Sequence, residues 1–139
     1  MKIVFIVPSV GRKEGEGYVR TWQMEPLSIA VLKSLTPKEF SVEFYDDRLE
    51  DINYESNPDL VAITVETYTA KRAYEISERF RKKNKKVIVG GFHATLVPEE
   101  AKEHADAVMI GEAEKVWLNV LSDLKKGHLN NIYKSPKIG

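Results

Sequence analysis

Cysteine is absent from the chain. That excludes disulfides, thiolate nucleophiles, cysteine zinc sites and cysteine-ligated iron–sulfur clusters from its 139 residues. A charge excess is missing too. Twenty-one basic residues stand against 21 acidic ones, so no global field draws nucleic acid or an anionic membrane. The local run Arg79, Arg81, Lys82, Lys83, Lys85 and Lys86 reads as the solvated end of a helix. No apolar run approaches the ~20 residues that a membrane helix needs. The opening Ile3-Val4-Phe5-Ile6-Val7 is too short for a signal sequence, with no cleavage site after it. The expectation is a cytoplasmic protein with neither nucleic-acid nor membrane partners.

Several catalytic and nucleotide-binding patterns are also missing. Gly15-Glu16-Gly17 continues into Tyr18-Val19-Arg20 and lacks the third glycine of a dinucleotide fingerprint. There is no P-loop. Asp46-Asp47 has the look of a receiver's acidic pocket, but the third strand ends in Thr64-Val65-Glu66, where a receiver keeps its phosphoacceptor. No Ser-His-Asp spacing occurs. These absences leave the chain with no catalytic residue and no metal ligand of its own to name.

What remains is an ordinary globular composition, 42% hydrophobic and 30% charged, at a length that suits one domain. Ile3–Val7, Leu60 to Val65, Val87 to Val89 and Ala107 to Ile110 are short, β-branched-rich apolar runs. They read as strands buried on both faces of a parallel sheet. Val42 to Tyr45 is a shorter alternating strand. Helical spacing predicts helices over 24–35, with Met24, Leu27, Ala30, Val31, Leu32 and Leu35 apolar, and over 68–83, with Ala70, Ala73, Tyr74, Ile76, Ser77 and Phe80 inward. Two more follow over 98–104 and 112–126, the last with Val116, Trp117, Val120, Leu121 and Leu124 inward. Residues 9–23 read as a long loop and 127–139 as an unpatterned linker or tail. Strands alternating with helices predict an α/β fold: a single doubly wound, Rossmann-like (flavodoxin-like) domain over 1–126, with a five-stranded parallel sheet of order 2-1-3-4-5. In such folds ligands bind at the carboxyl rim, where strand order reverses.

The rim segments follow Val7, Tyr45, Ile63, Val89 and Ile110. Pro8 and Ser9 begin the first. Gly90-Gly91 lets backbone approach a ligand closely, or simply makes a tight turn. His93 in Phe92-His93-Ala94-Thr95 is able to donate, accept or titrate, or is a bland loop histidine. Thr64 and Thr67 offer hydroxyls to a ligand, or cap the next helix, with capping the better reading for Thr67. Glu112 after Gly111 suits a helix N-terminus without any further role.

Taken together, these stretches resemble the N-terminal cobalamin-binding domain of radical S-adenosylmethionine proteins. The resemblance covers about residues 2–126. It rests most on Val87-Ile88-Val89-Gly90-Gly91-Phe92-His93-Ala94-Thr95, on Pro98-Glu99-Glu100 and on Gly111-Glu112-Ala113-Glu114. It implies a corrin on the carboxyl rim with its nucleotide tail inserted between strands one and three. The residues it implicates in cofactor binding are Pro8, Ser9, Thr64, Thr67, Gly90, Gly91, His93, Thr95, Gly111 and Glu112. Thr64 and Gly90, 26 positions apart, are similar to the Ser/Thr and Gly-Gly elements that line the tail pocket. His93 is expected near the corrin edge, with His104 and His128 exposed. The Asp-x-His-x-x-Gly cobalt-ligand motif is absent, so the resemblance implies no lower ligand from the first loop. The Cys-x-x-x-Cys-x-x-Cys motif is absent as well. S-adenosylmethionine and a [4Fe-4S] cluster would belong to a downstream barrel, the implied partner. Two alternatives stand beside this one: the same fold without cofactor, acting in interaction or substrate access, and a small nucleotide- or phosphate-binding flavodoxin-like protein.

Overall fold

The computed structural model describes residues 1–10 and 27–136. The first strand β1 (Lys2–Val7), helix α1 (Leu27–Leu35), β2 (Ser41–Asp46) and β3 (Leu60–Thr64) are followed by a 3-10 turn and α2 (Ala70–Arg81). Then come β4 (Lys86–Gly90), the short helices α3 (Phe92–Leu96) and α4 (Pro98–His104), β5 (Ala107–Ile110), a second 3-10 turn, α5 (Trp117–Lys125) and β6 (Ile132–Lys134). All strand pairs are parallel, in the order β2-β1-β3-β4-β5-β6. The five expected strands thus stand in the expected order, and a sixth extends the sheet.

Alternation along each strand sorts the core into two layers. Val4, Ile6, Val61, Ile63, Val87, Val89 and Val108 face one way, onto Ala73, Ile76 and Phe80 of α2 and Ala94 and Ala101 of the two short helices. Ile3, Phe5, Leu60, Ala62, Ile88, Ala107 and Met109 face the other, onto Ile29 and Leu32 of α1 and Trp117, Val120 and Leu121 of α5. The inward faces read for α2 and α5 are the buried ones.

Four expectations are corrected. Among the described side chains of α1, Ile29 and Leu32 are buried while Val31 and Leu35 are exposed at 40% and 37%, because α1 is a one-sided cover that buries a narrow stripe. Residues 24–26 of that predicted helix, and 11–23 of the first loop, lie outside the described residues. His93 is on a helix rather than a loop. The last helix begins at Trp117, after a 3-10 turn, rather than at Glu112. Residues 127–136 are not simply a tail, since β6 pairs with β5 and Tyr133 is buried. Its hydroxyl donates to Asp123 Oδ2 (2.8 Å) and accepts from the Asn130 N–H (2.9 Å), which ties the strand to α5.

Candidate cofactor site

The α1/α5 side of the sheet carries large apolar residues until it reaches the carboxyl rim. There the same face presents Ala62, Thr64 and Gly90, and Gly111 follows β5. Small residues in a row leave space that neighbours cannot fill, because strands fix their spacing. The result is a cavity of about 210 Å³ between the strand ends, α1 and the 3-10 turn that begins at Ala113. Its walls are Phe5, Ile29, Leu32, Ala62 and Met109, and Glu66, Glu112 and Glu114 line it as well. Phe5 is held against Trp117 with ring centroids 5.5 Å apart, and the Trp117 indole N–H donates to Thr36 Oγ1 (2.9 Å).

Thr64 and Gly90 are direct cross-strand partners. Gly90 gives depth: a Cβ there would stand 3.2 Å from Met109 Cε. Gly91 gives the turn. Its φ is +104°, and a Cβ would come within 2.9 Å of the Val65 carbonyl oxygen, so no L side chain fits without strain. The turn is pinned by Val65 N–H to Gly90 O (2.7 Å) and His93 N–H to Val65 O (3.0 Å).

Of the ten residues singled out from sequence, Thr64, Gly90, Gly91, Gly111 and Glu112 line this cavity. Thr95 supports it, its Oγ1 accepting from the Gly111 N–H at 3.1 Å. The Glu112 carboxylate pairs with Lys115 at 2.9 Å.

Thr67 and His93 meet elsewhere, toward α2 and α4. His93 Nε2 lies 2.6 Å from Glu100 Oε2 and Nδ1 lies 3.3 Å from Thr67 Oγ1. Tyr74 donates to the same Glu100 oxygen at 2.9 Å and stacks on His104, with ring centroids 4.2 Å apart. Both ring nitrogens of His93 therefore have protein partners. The hydrogen bonds from His93 and then Tyr74 hold the Glu100 carboxyl below its ordinary range, and burial with the Glu100 contact drives the Tyr74 phenol up. Thr67 is not the cap expected of it. Glu66 takes that role for the 3-10 turn, in a capping box whose third turn residue, Thr69, accepts from the Glu66 N–H through Oγ1 at 3.0 Å.

Pro8 and Ser9 are buried but are not among the described residues lining the cavity. Ser9 donates through its N–H (2.9 Å) and hydroxyl (2.7 Å) to Asp47 Oδ2, and Arg72 donates to both Asp47 oxygens at 2.8 and 2.9 Å. Burial pushes the Asp47 carboxyl up, but the Arg72 and Ser9 hydrogen bonds outweigh it and hold it low. Asp46 is gripped by Arg48 at 2.6 and 2.7 Å. Asp47 is thus part of the scaffold that holds Ser9, while Asp46 holds Arg48 after β2.

Sequence reasoning missed Met109, Glu66 and Phe5 in the cavity, and Glu100 as the partner of His93. Met109 and Phe5 sit inside ordinary strand runs, so only their neighbours mark them. Glu100 was visible in the Pro-Glu-Glu stretch, without a sign of which residue it would reach.

Comparison with known proteins adds a second line of evidence. A family model described as the B12 binding domain matches residues 21–121. Bacteriochlorophyllide d C-8(2)-methyltransferase of Chlorobaculum tepidum is 43% identical over 110 residues, covering 78% of this chain and 24% of that protein. The C-12(1)-methyltransferase of the same organism is 36% identical over 115 residues, covering 81% of this chain and 25% of that protein. The chain spans about a quarter of the length of these curated relatives. Among solved structures, the N-terminal domain of a hypothetical protein of Thermotoga maritima has a TM-score of 0.56 at 21% identity. That likeness covers 86% of this chain and all of the other, and it concerns the fold.

Proposed function

The chain belongs to the B12-binding domain family, and from that premise we propose that it binds cobalamin at the carboxyl rim, with the nucleotide tail in the cavity beside Thr64 and Gly90. The observation that carries the reading is the row of small residues at the rim end of one sheet face. It leaves a cavity where close packing would otherwise be expected. The lining fits the group. Apolar walls suit a flat ring, the missing Cβ of Gly90 gives it depth, and carboxylate acceptors at the mouth suit the carboxamide N–H donors of a corrin. At about 210 Å³ the cavity suits the tail rather than the macrocycle, which would lie over the rim. When bound, cobalamin supplies alkyl-transfer chemistry at its cobalt. This chain's residues hold, orient and shield it.

The wider setting is proposed on the same footing. The relatives are methyltransferases named for bacteriochlorophyllide d, and the family resemblance points to a radical S-adenosylmethionine barrel as the remainder of the working enzyme. Methyl transfer to an organic substrate is the reaction class we infer. Because β6 runs parallel to β5 and Ser135 lies beside Gly111, β6 ends at the rim that carries the cavity, and a barrel joined there would meet the corrin. The binding unit is better bounded after β6 than at residue 126.

The test is direct. Purified protein mixed with hydroxocobalamin and then desalted should keep the corrin's visible absorbance at about one equivalent. Colourless protein across a range of cobalamin oxidation states would leave the cofactor-free interaction domain as the better reading.

A further inference from the structure

We propose that Met109 determines which base the cavity admits at the end of the cobalamin tail. This rests on the reading that the tail enters the cavity, and it identifies the specificity element within it. Met109 lies on β5 beside Gly90 of β4, on the same sheet face. Its Cε and Cβ are the nearest atoms to the point a Gly90 Cβ would occupy, at 3.2 and 3.5 Å. The thioether therefore fills the flank of the gap that Gly90 opens. It is only 4% exposed, so its position is set by packing and not by solvent.

The rest of the strand floor has little freedom. Phe5 is braced by Trp117, and Ala62 and Gly90 have no rotatable side chain. An unbranched methionine is the one floor residue among those described that is able to change the depth of the cavity by turning its χ angles. Its chemistry also selects. Around Met109 the lining is apolar, with Phe5, Ala62, Ile29 and Leu32, while Thr64, Glu66, Glu112 and Glu114 supply its polar groups. An apolar methylated ring loses nothing by entering such a surround. An exocyclic amine turned toward Phe5, Ala62 and Met109 would leave its N–H donors unpaired there, and a site discriminates strongly on that basis. The geometry thus favours a methylated benzimidazole over an adenine tail.

The experiment titrates the protein with three corrinoids, following the visible spectrum: cobalamin, its adenine-tailed analogue, and cobinamide, which lacks the nucleotide. Wild type should bind cobalamin at least tenfold more tightly than the adenine analogue, with cobinamide weaker than cobalamin. Met109→Ala should narrow the preference between the two bases severalfold. Met109→Phe should weaken cobalamin at least tenfold while leaving cobinamide unchanged, and unchanged cobinamide binding also reports an intact fold. Should Met109→Phe fail to fold, Met109→Ala and Met109→Leu decide the matter through the same base preference. A preference unaltered in every folded variant overturns the role of Met109 alone. Equal wild-type affinity for cobalamin and cobinamide overturns tail insertion as well. No binding of any corrinoid overturns the cobalamin reading itself.

Discussion

Gly91 and Gly90 are adjacent, yet they do different work, and substitution should separate them. At Gly91 the backbone φ of +104° and a carbonyl 2.9 Å from the would-be Cβ penalise any side chain. Gly91→Ala should cost about 1–3 kcal/mol, read as a lowered Tm. Gly90→Ala meets only the movable end of Met109 and should cost less stability, while reducing the cavity. Asp47 yields a pH prediction. Its carboxyl is held low in the fold by Arg72 and Ser9 against the opposing effect of burial. It therefore adds stability that is present above its unfolded pKa of about 4 and is lost as pH falls through the lower folded value. Asp47→Asn should destabilise the protein by several kcal/mol at neutral pH, since it leaves Arg72 poorly compensated. It should also shorten the acid limb of a stability–pH curve. At this scale the sequence was legible where the backbone sets the neighbour. Thr64 and Gly90, far apart in the chain, are cross-strand partners because parallel strands bring strand ends together. It was not legible where long side chains choose partners, as in His93 with Glu100 or Ser9 with Asp47, since such pairings depend on tertiary approach and not on spacing.

At the scale of elements, the buried strands were plain in the sequence because parallel strands covered on both faces read as continuous apolar runs. The buried faces of α2 and α5 were plain from their helical period. Short elements were harder. The helix Phe92–Leu96 spans little more than one turn, and its sequence looks like a loop. The strand Ile132–Lys134 has three residues, of which only Tyr133 is buried, so it offers no pattern to detect. Its weight rests on that tyrosine. Burial chiefly, and the hydrogen bond to Asp123, push the Tyr133 phenol up to about 12. A pKa raised in the fold gives stability that is complete below the unfolded value near 10 and is lost as pH rises through the folded one. Alkaline unfolding should therefore steepen between roughly pH 10 and 12. Tyr133→Phe should remove that contribution, at a cost of about 1 kcal/mol at neutral pH for the lost hydrogen bonds. An alkaline limb identical in the two proteins would show that β6 does not hold the tyrosine as described.

At the scale of the molecule, strand order and the side of each helix follow from alternation of elements, and they bring five of the ten singled-out residues around one cavity. What alternation does not reveal is the shape of that cavity, because a void is made by the absence of large side chains at Ala62, Thr64, Gly90 and Gly111 and not by any motif. The account therefore stands on whether something fills it. The most direct measurement is a crystal structure of the protein grown with cobalamin. The base of the nucleotide tail should lie between the ends of β3 and β4, flanked by Thr64, Gly90 and Met109, with the corrin across the carboxyl rim. Cobalamin found with its tail outside the sheet, or a cavity still closed around Gly90 with the corrin bound elsewhere, would contradict it.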